Sequence, residues 1–477
     1  MYKGKLEPTR IFTHYLGRCK LDKVLSHISQ YVSDITYEDL PADITHQTKR
    51  LWLDTLACTP RAFSSPPVQI GVALAEMSSS KSPATVLWGQ QQTTAEMAAF
   101  VNSSMVRYLD FNDFYQGPEA KESGHPSDAF PSALSVAEQE RVTGKEVLLG
   151  SVIAWEIYAR LADRVPFRDY GFDQSIAIAI ASTCSACKVM GLSQDETANA
   201  IALTTASNIT LGEVRFGEVS MWKGCAAANG VRNGVFSASL AKQGMTGPLN
   251  IFDGPRGFFH GISGEFELGK FGGKEEPFRI MQASMKHFAV GSVAQTALEC
   301  ILELRSDIDS IHKISEVEVR TFQFGVNVMA DVREKWSPLN RETADHSLPY
   351  CVAIMLLFGE INDDYFSDGY LGDETVRELM KKINVVSDES ATQLFPEKRV
   401  SKVLIRMDSG VEHYAELGYH KGHPSNAMSD VEVENKFREQ TDIYLNESQA
   451  NKIISQWWTL DTQRDLSSLV SSLVIQK

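Results

Sequence analysis

The chain has no apolar run near the roughly 20 residues that a membrane span needs, and no excess of positive charge. Its 61 Asp and Glu outnumber 46 Lys and Arg, for a net charge of -15. That balance excludes a nucleic-acid binder, because too few cations remain to neutralise phosphates. An anionic small molecule must instead be met by cations gathered at one place. Cysteine is scarce, with seven residues at 19, 58, 184, 187, 225, 300 and 351. An odd, scattered set does not suit a disulfide framework. Cys184 and Cys187 form a CxxC, and an iron–sulfur hydratase could add Cys58 or Cys225. However, "IAIAIASTCSACKVMGL" reads as unbroken helix, with no Gly or Pro loop to wrap a cluster. Both cysteines are expected to be buried packing residues. Repeats, low-complexity tracts and a signal-peptide pattern are also missing. The first 24 residues carry six Lys or Arg beside Glu7 and Asp22, a trait shared with mitochondrial presequences, but the expected compartment is the cytosol.

What the sequence does hold, in 477 residues, is enough for a large domain and a second one. Helical periodicity runs to about residue 245, as in "HQTKRLWLDTLAC", "AEMAAFVNSSMVRYLDF" and "KEVLLGSVIAWEIYARLADRV". Faces rich in small residues, such as "CAAANGVRNGVFSASLA", predict closely packed helices. Residues 246 to 280 are Gly-rich and aromatic, which predicts an irregular loop. A helix follows in "SVAQTALECILELRSD", then a strand-like run, "ISEVEVRTFQFGV". A further alternating pair in "RVSKVLIRMDSGVEHYAELGY" turns at Asp408-Ser409-Gly410. The expected fold is mainly α: a large all-helical domain from 1–283 with 425–477, and a smaller α+β domain, 284–424, inserted in the second half.

Five stretches gather polar groups that a scaffold does not require. They are Asp110, Asn112 and Asp113 in "LDFND"; His125, Ser127 and Asp128 in "GHPSD"; Arg215, Glu218 and Lys223 in "EVRFGEVSMWKG"; Lys286 in "SMKHFAVGS"; and Arg341, His346 and Tyr350 in "NRETADHSLPY". Singly, each has a structural reading as a helix cap or a solvated face. Jointly they supply an acid–base histidine, carboxylates to orient it and at least three cations. That set suits removal of a proton next to a carboxylate, where cations hold the substrate while charge builds. No set of His, Cys and carboxylates has convincing metal-ligand spacing. Around His125, Gly124 allows backbone angles that a side chain forbids, and Pro126 keeps the histidine out of the helical region.

These motifs, with "AAANGVRNGV", "FPEKR" and "YHKGHPSNAM…VENKF", resemble in order those of the MmgE/PrpD family, which includes 2-methylcitrate dehydratase and cis-aconitate decarboxylase. The resemblance covers about residues 25 to 460. It implies a helical domain built from both chain ends, an α+β lid domain, a homodimer, and a site between domain and lid that works without metal or organic cofactor. It makes Asp110, His125, Lys223 and Lys286 the catalytic residues.

There are departures: Asp173-Gln174 stands where the family shows a histidine, Phe114 where the decarboxylases have a threonine, and the lid tyrosine has no clear match. The expected function is a cofactor-independent lyase that dehydrates 2-methylcitrate or a related 2-alkylcitrate to the alkyl-aconitate. Lys223, Lys286 and Arg215 would hold carboxylates, and His125, oriented by Asp110, would move the proton, as base or as acid. Asn112, Asp113 and Ser127 would hydrogen-bond the leaving hydroxyl or the substrate, and Asp173, Gln174 and His346 would line its pocket. Phe114 and the lost histidines point to a more apolar pocket than usual. The alternatives are a cis-aconitate-type decarboxylase and a non-catalytic binding protein. The expected partner is a small tricarboxylate, with no nucleic acid and no membrane.

Overall fold

The computed structural model describes residues 21–216 and 219–475. The presequence-like stretch up to residue 20, with Cys19, and Glu218 lie outside the described residues. Two hydrophobic cores organise the chain. The larger takes residues from Val24 to Ala289 and again from Met428 to Leu473. The smaller takes residues from Phe288 to Ala415.

The larger core is helical, built on Ala42–Ala57, Ala95–Tyr108, Gly144–Arg164, Ser175–Val189, Gln194–Ser207 and Trp222–Lys242. Ser175–Val189 is buried nearly all round, consistent with its run of Ile, Ala and Ser. It packs against Trp222–Lys242 at backbone contact. A Cβ on Gly234 would meet Thr183 N at 2.8 Å and Ala179 O at 3.0 Å. Small residues here set the helix spacing. Cys184 and Cys187 are free and buried in this helix, and burial pushes both thiols up. They pack.

Two late helices, Asp430–Thr441 and Glu447–Trp458, return to this core, where Trp457 stacks on Trp52 at 4.8 Å. Lys436 buries its ammonium against Asp54 at 2.7 Å and also donates to the carbonyls of Phe111 and Lys286. A short ribbon, β1 (Ala84–Thr85) with β2 (Gln92–Thr93), lies at the edge.

The smaller core sits under a mixed sheet of β3 (Ile314–Thr321), β4 (Ile383–Ser387), β5 (Ser401–Met407) and β6 (Glu412–Leu417), in the order β4-β3-β5-β6. β5 buries every second residue, from Ser401 to Met407, the pattern of a strand with one packed face. The helices Gln295–Arg305 and Leu348–Phe358 cover it. β5 and β6 form the hairpin expected from the sequence, turning at Gly410 with φ 83°.

Two readings need correction. The strand-like run "ISEVEVRTFQFGV" ends at Thr321, and Gln323–Met329 is helix. β4 was not anticipated at all; it pairs in parallel with β3, so its partner is remote in sequence. The stretch 246 to 280 is irregular apart from short helical turns, and Phe252, Phe258, Phe259 and Phe266 pack their rings together in it. Among the described residues no helix is long and apolar enough to cross a membrane.

Candidate active site

The helix Ala95–Tyr108 stops two residues before Asp110, which takes a left-handed backbone with φ 50°. For a residue other than glycine this costs on the order of 1 kcal/mol. The turn brings the Asp110 carboxylate back onto Arg107 of its own helix, with which it makes a short ion pair. Lys286 arrives from the start of the sheet region, with Nζ 2.9 Å from Asp110 Oδ1. Two imidazoles complete the cluster. His125 Nε2 lies 3.6 Å from Oδ1, and His346 Nε2 lies 3.6 Å from Oδ2.

The cluster is closed except at those two rings. Side-chain exposure is 0% for Lys286 and 3% for Arg107, but 12% for His125 and 21% for His346. Burial favours a neutral Asp110, but Arg107 and Lys286 outweigh it and hold the carboxyl well below the usual range. Burial brings Lys286 down to about 8, against the pull of Asp110.

His125 stands between Gly124 and a short helical turn, Pro126–Ala129, with φ -122° and ψ 84°, outside the helical region as expected before proline. Gly124 is required for a different reason than expected. Its φ is not positive, but a Cβ there would meet Tyr158 Oη at 2.0 Å and Gln174 Oε1 at 2.6 Å. The requirement is space. His125 Nδ1 lies 2.8 Å from the carbonyl of Asp113. A carbonyl can only accept, so Nδ1 carries the hydrogen and Nε2 keeps its lone pair. Burial, with Arg107 and Lys286, holds this imidazole well below the ordinary histidine range.

Asn112, Asp113 and Ser127 are completely buried around this turn. Asn112 Nδ2 donates to Ser127 Oγ and to Asp128 Oδ1, both at 2.9 Å. Asp113 accepts from Trp155 Nε1 at 2.7 Å and from Ser127 N. Burial pushes Asp113 up to about 6 and Asp128 up to about 7.

A second charged centre faces the first. Asp345, at the end of the short helix Arg341–Ala344, accepts from Lys223 Nζ at 2.6 Å and from Arg341 Nη1 at 3.2 Å. His346 Nδ1 lies 2.5 Å from the same carboxylate oxygen and 2.9 Å from Lys223 Nζ. Burial and Lys223 bring His346 down to about 4, against Asp345. Burial also lowers Lys223. Lys223 comes from the helical region and Asp345 from the sheet region, so this ion pair joins the two.

With this geometry in view, the chain was compared with known proteins. The MmgE/PrpD N-terminal domain matches residues 26–270, and the MmgE/PrpD C-terminal domain matches residues 288–461. The chain belongs to the MmgE/PrpD family. Among its relatives are the mitochondrial 2-methylcitrate dehydratase of Yarrowia lipolytica, 28% identical over 445 residues, covering 85% of this chain and 81% of the relative. The 2-methylcitrate dehydratase of Escherichia coli K12 is 28% identical, covering 80% of this chain and 81% of the relative. A 2-methylcitrate dehydratase-like protein of Aspergillus oryzae is 28% identical over 71% of each chain.

In this MmgE/PrpD chain the C-terminal match runs on to 461, past the sheet and through the two helices that rejoin the first core. Of the residues singled out in the sequence, Asp110, His125, Lys286, Lys223 and His346 come together around the facing carboxylates. Asp173 and Arg215 pair with each other, Nε to Oδ2 at 2.8 Å, beside this group. Arg215 holds Asp173 far down, against its burial. Tyr350 turns away and donates to the carbonyl of Tyr365 in the second core.

Sequence reasoning missed Arg107, Asp345 and Tyr158. Asp345 sat inside a quoted motif, but only its neighbour His346 drew notice. Arg107 and Tyr158 lie within helical patterns that carry no such signal. Among the described residues, both amide atoms of Gln174, Tyr158 Oη, Asn112 Oδ1, Asp128 Oδ2 and Arg107 Nε are buried without a hydrogen-bond partner. No three His, Cys, Asp or Glu side chains among the described residues group so as to hold a metal ion.

Proposed function

We propose that the protein is a hydro-lyase that removes water from 2-methylcitrate or a related 2-alkylcitrate to give the alkyl-aconitate. One observation carries the reading. His125 Nδ1 is committed to the Asp113 carbonyl, so its Nε2 is an unprotonated base beside the Asp110–Lys286 pair. The depressed imidazole is neutral at pH 7, and Asp110, 3.6 Å away, is the neighbour that favours its protonated form.

In the reaction His125 Nε2 takes the proton from the carbon next to a carboxylate. The C–H pair becomes the new C=C bond, and the C–O bond of the neighbouring carbon breaks. Lys286 and Arg107 stabilise the negative charge that builds on the carboxylate. The Lys223 ammonium, held by Asp345 and His346, supplies the proton with which the leaving hydroxide becomes water. Asn112, Asp113 and Ser127 hold the His125 turn in place, a positioning role in which their side chains already serve one another. Gln174 and Tyr158 offer polar atoms whose burial without hydrogen-bond partners costs about 1–3 kcal/mol each, and a hydroxylated, carboxylated ligand satisfies such atoms. The names of the relatives point to the same substrate class.

The test is incubation with racemic 2-methylcitrate and its ethyl and hexyl homologues, reading the conjugated product by absorbance and mass spectrometry. Parallel samples with cis-aconitate are assayed for carbon dioxide. Formation of an unsaturated tricarboxylate supports the reading. Carbon dioxide from cis-aconitate, with no turnover of the alkylcitrates, removes it.

A further inference from the structure

Two of the quoted stretches, "FPEKR" and "YHKGHPSNAM", take no part in the chemistry above, yet they meet at one place. Arg399, just before β5, is 4% exposed. Its guanidinium bonds neutral groups: Nη1 donates to Ser292 Oγ at 3.2 Å and Nη2 to Gln116 Oε1, and the group lies 4.4 Å over the ring of Phe114. The other arginines near the site each have a carboxylate: Asp110 for Arg107, Asp173 for Arg215, Asp345 and Asp363 for Arg341. Among the described residues Arg399 has none, and burial brings it down to about 9. Beside it stands His420, 0% exposed and stacked on the same Phe114 ring at 5.5 Å. Neither of its ring nitrogens meets full hydrogen-bond geometry, although the Met285 backbone interacts with the ring. Gln282 Oε1, which approaches the residue after Gln116, is also buried and unpaired.

A buried cation without an anion is costly, as is a buried imidazole without a well-formed hydrogen bond. Their coincidence at one junction describes half of an anion site. That junction adjoins the catalytic groups. Phe114 follows directly on the Asp113 carbonyl that holds His125. The Phe114 N–H donates to Ser284 O at 2.8 Å, two residues before Lys286.

We propose that Arg399 and His420 anchor a remote carboxylate of the substrate, so that the sheet domain reads how many carboxylates the ligand carries. The inference rests on the tricarboxylate reading above. The guanidinium fork meets the carboxylate in a bidentate pair, exchanging its bond to Gln116 for a charged one, and a His420 N–H donates to the same anion. Asp110, Lys286 and His125 act at the reacting carbons, while Arg399 acts at the far end. The anchor accounts for both stretches at once, since one brings the arginine and the other the histidine.

Calorimetric titration with two unreactive ligands tests this: tricarballylate, with three carboxylates and no hydroxyl, and glutarate, with two. The natural protein should prefer tricarballylate. Arg399→Gln should weaken tricarballylate about thirtyfold or more, the scale of a lost charged hydrogen bond, and leave glutarate within about threefold. Its thermal midpoint should hold or rise, because an unpaired buried charge has gone. Arg399→Lys, which keeps the charge without the fork, should fall between.

An arginine that is only structural predicts the reverse. A fall in midpoint, a failure of Arg399→Gln to fold, or equal losses for both ligands overturns the proposal. If the natural protein dehydrates 2-methylcitrate and Arg399→Gln retains the preference for tricarballylate, the anchor is wrong and the function stands. If the natural protein neither binds tricarballylate nor acts on 2-methylcitrate, both fall.

Discussion

Asp110 in the helical region and Asp345 in the sheet region are built from the same parts. Each is a buried carboxylate with one lysine and one arginine around it; His346 reaches both, and Asp110 has His125 besides. They differ in what holds the far side of the ring. The Nδ1 of His125 rests on a neutral backbone carbonyl, which leaves Nε2 bare. The Nδ1 of His346 lies between the Asp345 carboxylate, which can accept its hydrogen, and the Lys223 ammonium, which already carries a proton to give. Identical residue types can therefore give an acceptor at one centre and a donor at the other. The partner on the second nitrogen decides.

Exchanging the acceptor should do the most damage. His125→Asn is expected to reduce kcat by roughly 10²–10⁴-fold, with KM little changed and circular dichroism intact. His346→Asn should cost less, about tenfold to a hundredfold, because Lys223 remains to supply a proton. If steady-state kinetics rank the two the other way, the assignment of acceptor and donor is inverted.

The next effect is on stability. Asp345→Asn leaves Lys223 facing a neutral group in a dry setting, while Arg341 keeps Asp363, and should cost about 3 kcal/mol or more in urea unfolding. Adding Lys223→Met should restore a good part of that, since it removes the stranded charge. An Asp345→Asn protein as stable as the natural one would mean that this centre is far better solvated than Asp110.

Gly124→Ala is smaller again. The new methyl meets Tyr158 Oη and Gln174, and such overpacking costs about 1–3 kcal/mol and displaces His125. Tyr158→Phe in the same chain removes the colliding oxygen and should recover part of the turnover. No recovery would mean that Gly124 serves its backbone conformation after all.

The smallest effect is on pH dependence. His346 falls from 6.5 to about 4 in the folded protein. Between those values the unfolded chain binds a proton that the folded one refuses, so its contribution is full above about 6.5 and is lost as pH falls toward 4. His346→Gln should therefore lose less thermal stability than the natural protein over that interval, while His125 titrates in both. Parallel midpoint curves would place His346 in a wetter setting than its contacts describe.

Much of this was legible in the sequence because polar groups crowd where helices stop. "LDFND" and "GHPSD" break helical patterns with residues a core avoids, and both reached the site. What escaped notice lay inside regular patterns or depended on distant partners. Arg107 reads as the last turn of an amphipathic helix, and only the backward turn at Asp110 gives it a role. Lys223 and Lys286 read as free cations for a substrate, yet each already holds a carboxylate contributed by a distant stretch. β4 is a short polar-flanked run whose strand character comes from pairing with β3. "FQFGV" alternates like a strand, but it opens the helix Gln323–Met329, in which only Gly325 and Met329 are buried. Spacing reports local geometry, and these features are set by contacts across the chain.

Lys436 gives the architecture a consequence in time. Its ammonium joins Asp54 across 382 positions of sequence and also caps the carbonyls of Phe111 and Lys286. During synthesis the ribosome has delivered every group of both charged centres before it delivers this lysine. The segment that bolts the Phe111 and Lys286 stretches together must therefore thread back to a core whose first helix was made some 400 residues earlier. Until it docks, the nascent chain leaves uncovered the apolar surface around Trp52 on which Trp457 stacks, the kind of exposure that favours aggregation.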